Sequence, residues 1–191
     1  MDRFSLFQMK GKLPLPGVRL HLQHAPATLK FPMPHTPPPT PAVQPLTESE
    51  TALLLERAAG AAANSYSPYS HFRVGAALLL EENPTASIPI PPGAIVTGTN
   101  VENASYRLTT CAEQAAIAAA VSHFGPGIRI RAVAVANLNG AACMPCGACR
   151  QTLAEFAGPD TPVLYPAASG ETVITTLTAL LPAAFTLQPE S

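Results

Sequence analysis

Two short cysteine motifs constrain this chain more than any other feature, Cys-Ala-Glu at residues 111–113 and Pro-Cys-Gly-Ala-Cys at residues 145–149. Zinc in proteins is tetrahedral, and three thiolate ligands leave its fourth position open, which is typical of a catalytic site. The carboxylate of Glu113 lies too close in sequence to one thiol to ligate well beside it, and it suits a proton shuttle. The motifs therefore predict a catalytic zinc centre whose ligands are Cys111, Cys146 and Cys149.

The same residues also have purely structural interpretations. The three thiols could be buried free cysteines, although their joint spacing favours ligands. Glu113 fits equally well as the partner of Thr110 in a helix capping box. Cys143 lies three residues before Cys146, so a closed site of four thiolates is a further alternative. Pro145 interrupts helical continuity between those two cysteines and favours Cys143 as a free thiol.

The residues around the motifs carry a wider resemblance. C-x-E followed by P-C-x-x-C is a known signature of zinc deaminases and is not a pattern worked out from spacing. Residues 72–78, 100–106 and 146–151 resemble the small homotetrameric cytidine deaminases, and the likeness runs from about residue 46 to 187. It implies a three-layer α/β/α sandwich with a mixed five-stranded sheet. It also implies a homotetramer that deaminates cytidine and deoxycytidine with water, to uridine and deoxyuridine, in pyrimidine salvage.

The resemblance further implies a substrate-binding shell. Asn100 and Glu102 match residues that hold the ribose hydroxyls. Phe72 and Phe185 match aromatics packed against the base, and Phe185 and Tyr106 match residues contributed by a neighbouring subunit. Without the resemblance, each Phe would be assigned to the core and the two polar residues to a strand end. The implied shell comprises Phe72, Asn100, Glu102, Ala104, Tyr106 and Phe185.

In the implied mechanism, Glu113 takes a proton from the attacking water, passes it to ring N3 and protonates the departing amine, so that ammonia leaves. One position departs from the resemblance. Members with three cysteine ligands usually have Arg after Cys-Ala-Glu, and its charge offsets the third thiolate, whereas this chain has Gln114. We expect this to lower the rate rather than to change the reaction. Arg107 and Arg150 are the cations that could compensate.

Residues 1–45 differ in composition from residues 46–191. They hold 10 of the 22 prolines and show no apolar periodicity. This predicts a disordered or polyproline-like extension preceding one deaminase-like zinc domain over residues 46–191. A mitochondrial transit segment is the alternative, supported by the low acid content and opposed by the presence of only two Arg and one Ser.

Charge and composition exclude several classes of function. Residues 1–45 have a net charge of +4 and the remainder −5, so the folded part lacks the basic surface expected of a nucleic-acid enzyme. No apolar run reaches membrane-spanning length, and the first residues lack the apolar region of a signal peptide. Because three of the four cysteines fit a metal site, the cysteine pattern does not indicate a set of disulfide bonds. We therefore expect a cytoplasmic enzyme with no membrane and no nucleic-acid partner.

Hydrophobic patterning predicts alternating helices and strands, and hence an α/β fold. Thr47 and Glu50 form a capping box for the first helix. The second helix is predicted to be buried all round, because alanine covers nearly its whole surface. The expected helices end near residues 64, 123, 156 and 181, and the expected strands span residues 74–80, 95–101, 132–136, 163–165 and 172–174. The proline-rich connection at residues 83–93 is predicted to be a surface insertion.

Three other functions are compatible with the sequence. A related deaminase, such as blasticidin S deaminase, would share the zinc core, and a deoxycytidylate deaminase would need cations for the phosphate, which the acidic body offers sparingly. A catalytically inactive zinc scaffold is the non-enzymatic alternative, and an intact Glu113 argues against it.

Overall fold

The structure is a computed structural model that describes residues 45–187. The predicted proline-rich extension therefore lies outside the described residues, apart from its last position. The helices are α1 Glu48–Ala62, α2 Ala112–Phe124, α3 Gly147–Phe156 and α4 Leu177–Leu180. The strands are β1 Val74–Leu80, β2 Ile95–Thr99, β3 Ile130–Asn137, β4 Pro162–Pro166 and β5 Thr172–Thr176, and a short 3-10 helix spans Tyr106–Leu108. The predicted order of helices and strands is confirmed.

The five strands form one mixed sheet in the order β2-β1-β3-β4-β5. The pair β3 and β4 is parallel, and the other three pairs are antiparallel. All seven residues of β1 are buried, which explains its uninterrupted apolar run, because side chains on both faces of this strand meet a helix layer. β2 lies at the edge and ends at Thr99, two residues earlier than predicted. Val101 instead makes isolated bridges to Tyr66 and Thr110.

Helices cover both faces of the sheet, and the predicted three-layer α/β/α arrangement is confirmed. On one face, Leu54 and Ala58 of α1 pack with Ala77 and Leu79 of β1. On the other face, α2, α3 and α4 bury a larger core against the alternate residues of the same strands. Gly75 faces α1 and Gly98 faces α2, and at both positions a Cβ would overlap helix backbone. The helices can approach the sheet this closely because both positions lack a side chain.

The capping box at the start of α1 is confirmed. The Thr47 hydroxyl accepts the Glu50 N–H at 3.2 Å, and the Glu50 carboxylate accepts the Thr47 N–H at 2.9 Å. Glu50 also accepts from Arg131 of β3 at 2.7 Å, which ties α1 to the sheet. The Arg131 hydrogen bond, together with the Thr47 N–H, lowers the pKa of Glu50 to about 2.

The expectation that α2 is buried all round is wrong for Ala118 and Ala119, which are exposed. Alanine is small and only weakly apolar, so an alanine-rich surface does not distinguish a buried helix from a half-exposed one. The connection between β1 and β2 is anchored by Ile90, which is buried and pairs with Asn83. Between residues 45 and 187, no helix combines the length and the apolar character that spanning a bilayer requires.

Candidate metal and catalytic site

Three of the four cysteines come together at the starts of two helices. Cys111 is the N-cap of α2, Cys146 is the N-cap of α3, and Cys149 lies in the first turn of α3. Their sulfur atoms all lie within 4.8 Å of one another, and the Sγ atoms of Cys111 and Cys146 are 4.0 Å apart. Ligand sulfurs on a tetrahedral zinc are about 3.8 Å apart, given Zn–S bonds of roughly 2.3 Å. The donor atoms and their spacing therefore fit zinc.

The cluster is closed on one side and open on the other. Cys149 is buried, Cys111 is half-buried and Cys146 is exposed. Helix N-termini carry partial positive charge, which favours thiolates. A hydrogen bond from the Cys149 thiol lowers the pKa of Cys111 to about 7, and the same interaction together with burial raises the pKa of Cys149. Cys111 is thus the first of this pair to ionise.

Glu113 lies in the first turn of α2 and is only 4% exposed. Because Cys111 is the N-cap, Glu113 occupies the second helical position, and the alternative capping box with Thr110 does not form. Burial raises the pKa of the Glu113 carboxyl. A carboxyl whose pKa is raised by desolvation takes up a proton more readily than an exposed one, as a proton shuttle requires.

Cys143 stands outside the cluster. It is half-buried against the larger core, its backbone N–H donates to the carbonyl of Pro166 at 3.0 Å, and burial raises the pKa of its thiol to about 12. Between residues 45 and 187, the cysteine sulfurs that lie close enough together to share one metal are those of Cys111, Cys146 and Cys149. The arrangement agrees with the free-thiol interpretation and not with a site closed by four thiolates.

Of the two arginines considered as replacements for the missing cation, Arg150 is tied to the ligand loop. Its Nε donates to the carbonyl of Pro145 at 2.8 Å, and its Nη1 donates to that of Leu180 at 2.9 Å. Since Pro145 directly precedes a cluster cysteine, the guanidinium lies beside the loop that carries it. Arg107 belongs to the exposed 3-10 helix.

Asn100, at the end of β2, is buried and organises the start of β1. Its Oδ1 accepts from the Ser65 hydroxyl at 2.5 Å and from the Val74 N–H at 2.9 Å. Its Nδ2 donates to the carbonyl of Phe72 at 2.8 Å. Phe72 itself packs against the larger core. The structure therefore places Asn100 and Phe72 together, and it leaves one amide hydrogen of Asn100 for another partner.

Glu102 holds the turn that precedes Phe72. Its carboxylate accepts from the backbone N–H groups of Tyr69 at 3.0 Å and Ser70 at 3.2 Å, and from the Ser70 hydroxyl. The Ser70 hydroxyl is the main cause of the lowered pKa of Glu102. Ser70 Oγ also accepts the Phe72 N–H at 3.0 Å, so Glu102 acts on the Phe72 segment through Ser70.

The predicted substrate-binding residues Asn100 and Glu102, which follow β2, are linked to the cysteine cluster through the backbone. Val101 donates to the carbonyl of Thr110 at 3.0 Å, and Thr110 donates back to Val101 at 2.9 Å. Thr110 directly precedes Cys111. The pairing therefore fixes Asn100 and Glu102, the two neighbours of Val101, against the start of α2.

Ala104, Tyr106 and Phe185 lie on the surface. Tyr106 and Phe185 are 88% and 67% exposed, so neither belongs to the core of this chain. The backbone of Phe185 is held by the side chain of Gln151, which donates to its carbonyl at 2.7 Å and accepts its N–H at 3.1 Å.

The sequence analysis missed the polar side chains that hold this scaffold, chiefly Ser70, Asn139 and Gln151. Asn139 lies in an Asn-Leu-Asn-Gly stretch whose composition indicates a turn. That signal predicts local structure and does not reveal which distant backbone groups the side chain binds.

Comparison with known proteins gives one consistent result. The cytidine and deoxycytidylate deaminase zinc-binding region matches residues 48–165. A cytidine deaminase of Halalkalibacterium halodurans is 40% identical over 137 residues, which cover 71% of this chain and 94% of the relative. The crystal structure of cytidine deaminase from Mycobacterium tuberculosis has a TM-score of 0.58 at 41% identity and covers 72% of this chain and 98% of that one. The Burkholderia pseudomallei enzyme has a TM-score of 0.58 at 37% identity, with 73% and 100% covered.

Proposed function

The chain belongs to the cytidine and deoxycytidylate deaminase family, and on that basis we propose that it hydrolyses cytidine and deoxycytidine to uridine and deoxyuridine, releasing ammonia. The observation that carries the proposal is the cluster of three cysteine sulfurs within 4.8 Å, with the carboxyl of Glu113 buried in the same helix turn. This is the donor set of an open zinc site together with a group able to move protons.

Cys111, Cys146 and Cys149 would hold the zinc, which when bound supplies Lewis-acid activation of a water molecule. The thiols are pre-gathered at two helix N-termini, which lowers the cost of keeping them ionised. The family resemblance leads us to expect Arg at the position of Gln114. Arg150, which donates to the carbonyl of Pro145, would supply a positive charge beside the ligand loop instead.

Glu113 would be the proton shuttle. It removes one proton from the attacking water and delivers it to ring N3 as the water oxygen bonds to C4. It then takes the second proton from the new C4 hydroxyl and gives it to the exocyclic amine, so that the C4–N bond breaks and ammonia leaves. Its burial supports this role, because desolvation raises the pKa of the carboxyl and makes it a better proton acceptor. The helix position also supports this role, because Glu113 follows the N-cap Cys111 by two residues and forms no capping box with Thr110.

The nucleoside would bind beside the segment that carries Phe72. Phe72 would supply an aromatic surface for the base, and Ala104 belongs to the substrate-binding shell that the family resemblance implies. The remaining amide hydrogen of Asn100 and the half-exposed carboxylate of Glu102 are available to ribose hydroxyls. The existing bonds of both side chains hold them in place before substrate arrives, which reduces the ordering cost of binding.

Homotetrameric assembly completes the proposal. Tyr106 and Phe185 are large, exposed and apolar in one chain, and a neighbouring subunit would cover them while receiving Phe185 at its own site. A cytoplasmic setting and a role in pyrimidine salvage are proposed on the same basis, because a reducing compartment keeps the three thiols available for zinc. The net charge of −5 on residues 46–191 supports a small neutral substrate over nucleic acid.

The test is ammonia release by the full-length zinc-loaded protein. We expect turnover of cytidine and deoxycytidine, abolished by a chelator and restored by zinc. Deoxycytidylate and blasticidin S serve as competing substrates at equal concentration. Turnover of either one in preference to both nucleosides, or failure to deaminate either nucleoside in a zinc-replete preparation, would refute the proposed substrate class.

A further inference from the structure

The side chain of Asn139 forms hydrogen bonds with the backbone of both residues that flank Phe72. Its Nδ2 donates to the carbonyl of His71 at 2.8 Å, and its Oδ1 accepts the N–H of Arg73 at 2.8 Å. Both polar groups of one amide are therefore used on the two neighbours of a single aromatic residue. A two-point contact of this kind fixes orientation as well as position, because neither bond can rotate independently of the other.

The backbone at residues 71–73 needs contacts from other residues to keep its conformation. His71 has a φ of +57°, and within residues 45–187 it is the only residue other than glycine with a positive φ. This left-handed region is unfavourable for side chains with a Cβ, so the surrounding contacts must hold the backbone there. Ser70 supplies one such contact, through its hydroxyl to the Phe72 N–H, and Asn139 supplies two.

Asn139 is itself held firmly. Its N–H donates to Oδ1 of Asn137 at 2.8 Å, and Gly140 follows with a φ of +68° that turns the chain. Asn137 and Leu138 also donate to the carbonyl of Arg73, at 3.3 and 3.1 Å. The turn that contains Asn139 leaves β3 and runs on towards the ligand loop at residues 145–149. One short loop therefore contacts the Phe72 segment at one end and carries zinc ligands at the other.

We propose that Asn139 is a positioning residue that sets the placement of Phe72 relative to the metal site, and thereby the affinity of the enzyme for the nucleoside base. The inference rests on the proposed function in assigning the base to Phe72. The positioning of the Phe72 segment by Asn139 rests only on the hydrogen bonds described above. Asn139 touches no reacting atom, so its loss should weaken substrate binding far more than it slows the chemical step.

The test compares zinc-loaded full-length variants. Asn139→Ala removes both bonds, and Asn139→Asp keeps the acceptor for Arg73 but loses the donor to His71. We expect KM for cytidine to rise roughly tenfold in both variants, with kcat within about twofold of wild type and zinc content unchanged. Asn83→Ala is the matched control, because Asn83 is a half-buried loop asparagine whose side chain accepts a hydrogen bond only from the nearby Thr85 hydroxyl. Its KM should equal that of wild type.

A rescue variant separates positioning from general stability. His71→Gly relieves the positive-φ strain, so in the Asn139→Ala background it should recover part of the lost affinity. Amide hydrogen exchange of full-length protein should also show faster exchange at Arg73 in Asn139→Ala, by at least about tenfold. A lower melting temperature with unchanged KM, or unchanged exchange at Arg73, would overturn the proposal. Failure of wild type to deaminate cytidine would refute the proposed function, while the exchange result would still decide whether Asn139 holds the segment.

Discussion

Gly98→Ala should damage both stability and catalysis, because β2 and α2 touch at this position. A Cβ on residue 98 would lie 2.5 Å from the carbonyl oxygen of Ala112 and 2.8 Å from the Cα of Ala116, where ordinary contact begins near 3.4 Å. The atoms it meets are helix backbone, which cannot rotate away as a side chain could. The helix must therefore retreat from the sheet by about 1 Å.

The magnitude follows from that displacement. Overpacking of this kind costs about 1–3 kcal/mol, which for a domain of this size lowers the melting temperature by roughly 3–10 °C. Cys111 caps α2 and Glu113 lies in its first turn, so the retreat moves a proposed zinc ligand and the proposed proton shuttle together. A misplacement of about 1 Å costs on the order of 10²-fold in rate.

Variants of Gly60 and Gly75 serve as controls for Gly98→Ala. Gly60, in α1, has nothing within 4 Å of its Cβ position, so Gly60→Ala should stabilise by about 0.5–1 kcal/mol and leave kcat unchanged. Gly75→Ala meets the backbone of α1 and should destabilise, but that helix carries no proposed site residue and kcat should fall far less. The assay is thermal melting with zinc content and kcat on each preparation. A Gly98→Ala protein with wild-type melting temperature and kcat would refute the reasoning.

Three other variants test other parts of the structure. Glu113→Gln should retain zinc and lose none of the wild-type thermal stability while kcat falls about 10²–10⁴-fold, and near-normal kcat in a zinc-replete sample would contradict the shuttle role. Glu50→Gln keeps the cap but loses the ion pair with Arg131. It should cost about 1 kcal/mol at pH 7, and because the folded pKa is lowered to about 2, that difference should vanish as pH falls from about 4.5 towards 2. Phe185→Ala should raise KM and, mixed with Glu113→Gln protein, recover partial activity, whereas a fully active wild-type monomer in sedimentation would exclude a role across subunits.

Local signals in the sequence predicted the elements that local physics determines. The seven-residue apolar run at 74–80 could only be a strand covered on both sides, and it is the fully buried β1. The capping box of Thr47 and Glu50 marked the start of α1 because both partners lie within one turn. The gathering of Cys111, Cys146 and Cys149 was predicted from a known deaminase signature that contains all three.

Features that depend on distant contacts were beyond the sequence. Thr110 matched a capping box in sequence, but its backbone pairs with Val101, and this moves the cap to Cys111. Asn139 binds the Arg73 N–H across 66 residues of chain, and no local pattern encodes that partner. Ala118 and Ala119 could not be assigned from composition, because alanine tolerates water and core alike.

The hydrogen bonds from Gln151 to the backbone N–H and carbonyl of Phe185 attach the Phe185 segment to α3, the helix that also carries cysteines of the cluster. One turn of this helix bears two of the cysteines, and the residues just after them, Arg150 and Gln151, hold Leu180 and Phe185. Two binding events that order the same helix are thermodynamically coupled, and the coupling is reciprocal. In the proposed tetramer, docking of the Phe185 segment on another subunit and retention of the proposed zinc would be coupled through α3. Dilution of the protein should loosen its zinc, and removal of zinc should loosen its subunits.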